Sequence, residues 1–201
     1  MSSDFWNQRY AADALVYGEA PNDFLASMAA RFPTSGTALD LGAGEGRNAL
    51  FLASRGLDTL AVDQSEVGMS KAQRLAKERG LTLRTQAADL AVFDAPAASF
   101  DIISSIFVHL PTPIRARVHA RVADWLKPGG LYIMEAYAPD QITRTTGGPK
   151  DPALLAPLTT IVHELSALTI EYQGALIRPV IEGIFHGGEA SVIQVVARKD
   201  S

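Results

Sequence analysis

Three glycines at alternating positions constrain this chain more than any other feature. They stand in Leu39-Asp40-Leu41-Gly42-Ala43-Gly44-Glu45-Gly46-Arg47-Asn48, where an apolar residue and an Asp close a strand and a helical pattern follows at once. Glycine admits positive φ and lets a ligand approach the backbone where a Cβ would clash. The first turn of the following helix offers unpaired N–H groups and a positive dipole end. The run reads as a nucleotide-type cofactor turn.

The pattern around it supplies the sheet that such a turn needs. Thr37–Leu41, Leu57–Val62, Leu81–Thr85, Phe100–Ile106 and Leu131–Tyr137 read as strands, and Phe100–Ile106 is apolar and β-branched enough for burial on both faces. Helical patterns cover Arg47–Arg55, ended by Gly56, and Ser65–Arg79, ended by Gly80. A third helix has Thr112 as its cap, Pro113 at its start, and Ile114, Val118, Val122 and Trp125 on one face. Lys127-Pro128-Gly129-Gly130 reads as a sharp turn into the fifth strand. Residues 4–32 read as helices, with Asn22 or Asp23 as a cap and Trp6, Tyr10 and Tyr17 available to form a flap.

Beyond Tyr137 the periodicity changes. Ala138–Asp151 is polar, with two prolines and Gly147-Gly148, and a loop of that length is commonly functional. Pro152–Leu165 reads as helix. Leu168–Pro179 and Ser191–Lys199 read as strands joined through Glu182–Gly188. Strand and helix alternate, which predicts an α/β fold with a mostly parallel sheet and helices on both faces. Right-handed crossovers then bring Asp40, Asp63, Asp89, the residues after Ile106 and the loop after Tyr137 to one edge of the sheet.

The glycine spacing separates two cofactors. A dinucleotide turn has G-x-G-x-x-G, but Arg47 stands at the third glycine position and the glycine comes one residue early, at Gly46. The run Asp40–Gly46 instead resembles the first motif of the class I S-adenosylmethionine-dependent methyltransferases. Asp63 after the second strand, Asp89 after the third, the Phe100-Asp101-Ile102-Ile103 strand and the Leu126–Gly130 turn match the same family in order. The resemblance covers roughly residues 37–137.

It implies a Rossmann-like domain with a seven-stranded sheet whose last strand is antiparallel. It implies S-adenosyl-L-methionine as cofactor and S-adenosyl-L-homocysteine as product. Asp63 is then the acceptor for the ribose hydroxyls, Asp89 for the adenine amine, and the Leu90 N–H the donor to a ring nitrogen. The methionine ammonium falls near Gly42 and Ile106, with Asp40 behind them. Tyr10, Ala43, Gly44, Gln64 and Ser105 complete the expected cofactor set. One domain over 1–201 is expected, with an N-terminal helical cap at 1–36, a cofactor core at 37–137, and an acceptor loop with C-terminal strands at 138–201.

Gly44-Glu45-Gly46-Arg47-Asn48, Leu50-Phe51-Leu52-Ala53 and Phe185-His186 more narrowly resemble the tellurite-resistance (TehB-like) methyltransferases. That likeness implies a small acceptor with a soft nucleophile, a thiol or a chalcogen or metalloid oxyanion such as tellurite. Gly187 stands where that family has Arg, which leaves a thiol or another small molecule beside the oxyanion. Methyl transfer needs alignment and exclusion of water, and a base only where the nucleophile must lose a proton. His186 and His109 are the candidate catalytic residues, since histidine titrates near neutral pH. Tyr10, Tyr17 and Tyr137 can supply hydroxyls or stack against a cation. Arg47, Arg144 and Arg178 are candidate anion ligands that also suit ion pairs.

Composition narrows the partners. The 201 residues carry a net charge of −4 and no run of Lys and Arg, which argues against nucleic acid or an anionic membrane. Base-directed methyltransferases use an Asp/Asn-Pro-Pro-aromatic tetrapeptide or a Cys nucleophile. This chain has Ser104-Ser105-Ile106-Phe107 at the first position and no cysteine. The four histidines show no metal-ligand spacing. No apolar signal core or membrane-spanning run occurs, so a cytoplasmic monomer or weak homodimer is expected. An NAD-dependent oxidoreductase and a non-catalytic cofactor-binding protein are the alternatives.

Overall fold

A computed structural model describes residues 2–183 and 186–201; the side chain of His186 lies outside the described part. Seven strands form one sheet: β1 (Gly36–Leu41), β2 (Leu57–Asp63), β3 (Arg84–Ala87), β4 (Phe100–Ile106), β5 (Leu126–Tyr137), β6 (Thr169–Glu182) and β7 (His186–Arg198). Their order is β3-β2-β1-β4-β5-β7-β6. The first five strands are parallel to one another, and β7 runs antiparallel to both β5 and β6. The chain reverses direction across the sheet between β1 and β4, which opens a crevice at the carboxyl ends of both strands.

The helices are α1 (Ser3–Arg9), α2 (Asp23–Ser27), α3 (Arg47–Ser54), α4 (Glu66–Glu78), α5 (Thr112–Trp125) and α6 (Leu158–Glu164). Phe24 and Leu25 of α2 and Leu52 of α3 pack on one face of the sheet, against Ile102, Leu131 and Ile133. The opposite face carries Val118, Val122 and Trp125 of α5 and Ile161 of α6 over Ile103 and Tyr132. Residues on adjacent strand positions thus enter different cores, as the period of two requires. Ser65 caps α4 by accepting the Gly68 N–H at 3.0 Å, and Asn22 caps α2 by accepting the Leu25 N–H at 3.0 Å.

Several boundaries differ from the sequence reading, each for a local reason. The third strand begins at Arg84 rather than Leu81. Gly80 takes positive φ, Leu81 N–H returns to the Ala76 carbonyl at 2.8 Å, and Leu83 turns onto the cluster around Ala72. Among the described residues up to 32, only Ser3–Arg9 and Asp23–Ser27 are α-helical, because Gly18 and Pro21 break the chain between them. Pro157 likewise splits 152–165 into a short 3₁₀ turn and α6. Lys127–Gly130 lies inside β5, where a register shift between Phe100 and Ile102 absorbs it. Among the described residues, no helix joins β3 to β4. The β6–β7 ladder continues to Glu182 opposite His186, so Glu182 and 186–188 of the expected loop at 182–188 pair in the sheet, while Ile184 and Phe185 lie outside the described residues. Among the described residues, no helix is long and apolar enough to cross a membrane.

Candidate active site

The crevice is a cavity of about 610 Å³ at the carboxyl ends of the parallel strands, within the usual ~300–1,000 Å³ of ligand pockets. The turn after β1 forms its floor. Gly44 has φ +56°, and a Cβ there would lie 2.8 Å from the Tyr10 hydroxyl. Gly46 has φ +89°, and a Cβ there would lie 2.6 Å from the Ala72 Cβ. The early third glycine therefore serves close packing of the turn on α4. Arg47 then becomes the first residue of α3 with its side chain lining the cavity.

Asp63, at the end of β2, ties the turn to its neighbour. Its Oδ2 accepts the Gly44 N–H at 2.9 Å and its Oδ1 the Ser65 N–H at 2.8 Å. A carboxylate oxygen has a second acceptor site, so both oxygens retain capacity toward the cavity. Burial raises the Asp63 pKa, and the backbone donors at Ser65, Gly44 and Gln64 oppose that rise. Asp89 follows β3, where its Oδ1 accepts the Ala91 N–H at 2.8 Å and its carbonyl closes a turn through Phe93.

Ten of the expected site residues line this one cavity: Tyr10, Gly42, Ala43, Gly44, Asp63, Gln64, Asp89, Leu90, Ile106 and His109. Asp40 and Ser105 are not among the lining residues. Asp40 is 1% exposed and lies behind the turn: strand alternation points it inward, where its Oδ1 accepts the Ser104 hydroxyl at 2.6 Å. Its Oδ2 has no partner among the described residues, and burial pushes its pKa up to about 7 against the Ser104 bond. Ser105 is buried on β4, outside the cavity lining. The side chain of His186 lies outside the described residues. His109 Nε2 accepts the Tyr137 N–H at 3.1 Å, which assigns that nitrogen an acceptor role and the ring proton to Nδ1.

The N-terminal segment forms the upper wall. Trp6 stacks on Tyr10 (5.6 Å, 22°) and Tyr10 meets Tyr17 edge-on at 6.3 Å. Two anchors hold this segment. Asn7 Oδ1 accepts from the Ser65 hydroxyl at 2.7 Å and the Val67 N–H at 3.3 Å. Glu45 accepts the Val16 N–H at 2.7 Å and pairs with Lys71 at 2.8 Å. Burial, and then Asp63, keep the Tyr10 hydroxyl protonated far above its usual range.

The cationic groups of the wall already have partners. Arg47 pairs with Glu182, Lys150 donates to the Arg144 carbonyl, and Arg9 lies 5.2 Å over the Phe5 ring. Arg178 pairs with Glu135, which is fully buried on β5. Asn22 Nδ2 donates to Glu135 at 2.8 Å and to Glu182 at 2.9 Å, so α2, β5 and β6 meet in one buried polar network. Arg47 and Arg178 are thus ion-pair residues.

Phe107 and Pro149-Lys150 line the cavity and were expected there only through their segments, the residues after Ile106 and the loop after Tyr137. Glu45 and Asn48 also line it, as motif residues to which the sequence assigned no site role. The φ of +56° at Phe107 has no signal in the sequence. Among the described residues no three His, Asp or Glu side chains group as metal ligands would.

Residues 38–130 match the family model of the methyltransferase domain. A curated relative, the 2-heptyl-1-hydroxyquinolin-4(1H)-one methyltransferase of Mycobacteroides abscessus, is 33% identical over 113 residues, 52% of this chain and 50% of that protein. The chain thus spans about half the length of this relative. Among solved structures, the protein reported for conversion of a disulfide bond into a thioacetal group during echinomycin biosynthesis superimposes with a TM-score of 0.78 at 18% identity. That match covers 98% of this chain and 92% of that one. TehB from Haemophilus influenzae gives 0.71 at 18% identity, over 98% of this chain and 67% of that one. These two likenesses establish the fold, one α/β domain on a seven-stranded mixed sheet.

Proposed function

We propose that this chain, whose residues 38–130 carry a methyltransferase domain on the class I S-adenosylmethionine-dependent fold, transfers the cofactor's methyl group to a small neutral acceptor. The supporting observation is the convergence on one cavity of the Gly42–Gly44 turn and the Asp63 carboxylate, with an aromatic wall beside them. Bound there, S-adenosylmethionine supplies a methyl on a sulfonium: the acceptor's lone pair forms the new bond, and the broken S–C pair stays on sulfur as S-adenosylhomocysteine leaves.

The chain's own residues bind, orient and exclude water. Asp63 accepts from the two ribose hydroxyls with the acceptor sites that Gly44 and Ser65 leave open. Asp89 accepts from the adenine amine, and the Leu90 N–H donates to the ring. Backbone carbonyls at Gly42, Ala43 and Ile106 receive the ammonium, with Gln64 along the ribose edge and Tyr10 closing over Gly44. Asp40 and Ser105 act from behind, Asp40 by fixing the end of β1 against Ser104. Residues 1–36 cap the cofactor, 37–137 form its core, and 138–201 close the acceptor side through the loop at Gly147–Lys150.

Ion pairing at Arg47 favours a neutral thiol or hydroxyl over tellurite or another oxyanion. His109 serves as a wall, since its Nε2 is engaged by the Tyr137 N–H. Proton removal from the acceptor falls to His186 or to water. Radiolabelled methyl transfer from S-adenosylmethionine to thiols, phenols, selenite and tellurite tests this reading. Turnover with neutral acceptors is expected; turnover with tellurite alone contradicts the neutral-acceptor assignment.

A further inference from the structure

The strand order divides the cavity. Asp63 and Asp89 lie at the ends of β2 and β3, while Phe107, His109 and Tyr137 lie at the ends of β4 and β5. From β2 to β5 is three strand spacings, about 14 Å, with the glycine-rich turn between. If Asp63 and Asp89 hold the nucleoside, the β4–β5 half is left for the acceptor.

That half carries stacked rings, with Phe107 and His109 half-buried around a buried Tyr137. Phe107 stacks on Tyr137 (4.6 Å, 28°), and Tyr137 stacks on His109 (5.5 Å, 16°). The stack is held in place from several sides. Phe107 keeps φ +56°, costly for a bulky residue, while its N–H is bound to the Glu135 carbonyl at 2.7 Å. His109 accepts the Tyr137 N–H, and a Cβ at Gly148 would stand 2.9 Å from the Tyr137 ring. Strain retained beside a cavity marks a surface whose shape matters to a ligand. Ring faces carry a negative quadrupole, so they attract other rings in offset geometry and repel anions.

We propose that the acceptor is a flat aromatic thiol or hydroxyl compound whose ring packs against the Phe107–Tyr137–His109 stack. This rests on the methyltransferase reading above and adds the substrate class.

Methylated products test ring recognition without differences in nucleophile reactivity. Thioanisole and cyclohexyl methyl sulfide, matched in size, are titrated by calorimetry into the full chain saturated with S-adenosylhomocysteine. Thioanisole is expected to bind about tenfold more tightly, and Tyr137→Leu and Phe107→Leu are each expected to remove most of that preference while retaining S-adenosylhomocysteine affinity. Tyr137→Leu keeps the test valid if Phe107→Leu, at a strained position, fails to fold. Equal binding of the two sulfides, no binding of either, or a preference that survives Tyr137→Leu overturns the aromatic assignment alone. Failure of the wild-type chain to bind S-adenosylhomocysteine instead overturns the reading on which it rests.

Discussion

The Tyr137 N–H donates to His109 Nε2 at 3.1 Å, joining the end of β5 to the loop after β4 at the floor of the acceptor half. Removing that acceptor leaves a partly buried donor, at a typical cost of ~1–3 kcal/mol. His109→Leu is predicted to lose about that much in urea denaturation, and His109→Gln to recover part of it through its side-chain carbonyl. Wild-type stability in His109→Leu would show that the bond contributes nothing.

Asp40 makes stability depend on pH in an unusual direction for an aspartate. Its ordinary pKa is 3.8, and burial pushes it up to about 7 in the fold. The folded chain then keeps a proton that the unfolded chain releases. The stabilisation is full below about pH 4 and is lost as pH rises through 7. Asp63, also raised by burial, acts in the same direction. Asp40→Asn is predicted to flatten the decline in melting temperature between pH 5 and pH 8; an unchanged slope would remove Asp40 as its source.

Asn22 binds two buried carboxylates with one amide. Asn22→Ala deprives Glu135 and Glu182 of donors and removes the Leu25 cap together. Losses of this kind reach ~3 kcal/mol or more, because each carboxylate stays buried with fewer partners. Denaturant titration is predicted to show a fall of that size. A change under ~1 kcal/mol would mean that Arg178 and Gln194 satisfy Glu135 unaided.

Gly46→Ala probes the one-residue shift in glycine spacing. The new Cβ would meet Ala72 at 2.6 Å from a backbone at φ +89°, so strain and overpacking add. A loss of ~2–4 kcal/mol is predicted from thermal unfolding, with α4 displaced from α3. Gly80→Ala has no neighbour within 4 Å and serves as the control for positive φ alone. Equal losses in both variants would refute the packing role of Gly46.

The parallel core was legible because its signals are local. Gly42 to Gly46, the strand-end aspartates and the α4 cap at Ser65 each sit where period and spacing say they must. The polar network was not, although Glu135 stands as the lone charge in the run Leu131–Tyr137 and signals a buried partner. Asn22 comes from the cap of α2 and Arg178 and Glu182 from β6, and only the fold brings these two distant segments to Glu135. Asp40 was legible as a motif residue behind the turn, but its bond from the Ser104 hydroxyl joins strands 64 residues apart. The Phe107 stack depends on a backbone angle that no residue pattern encodes.

Calorimetric titration of S-adenosylhomocysteine into the wild-type chain and Asp63→Ala, beside NAD, addresses cofactor assignment and cavity together. Wild type should bind S-adenosylhomocysteine and not NAD, and Asp63→Ala should bind it at least ~10-fold more weakly, the equivalent of about 1.4 kcal/mol for two lost charge-assisted bonds. Binding of NAD in place of S-adenosylhomocysteine, or unchanged affinity in Asp63→Ala, would contradict the site.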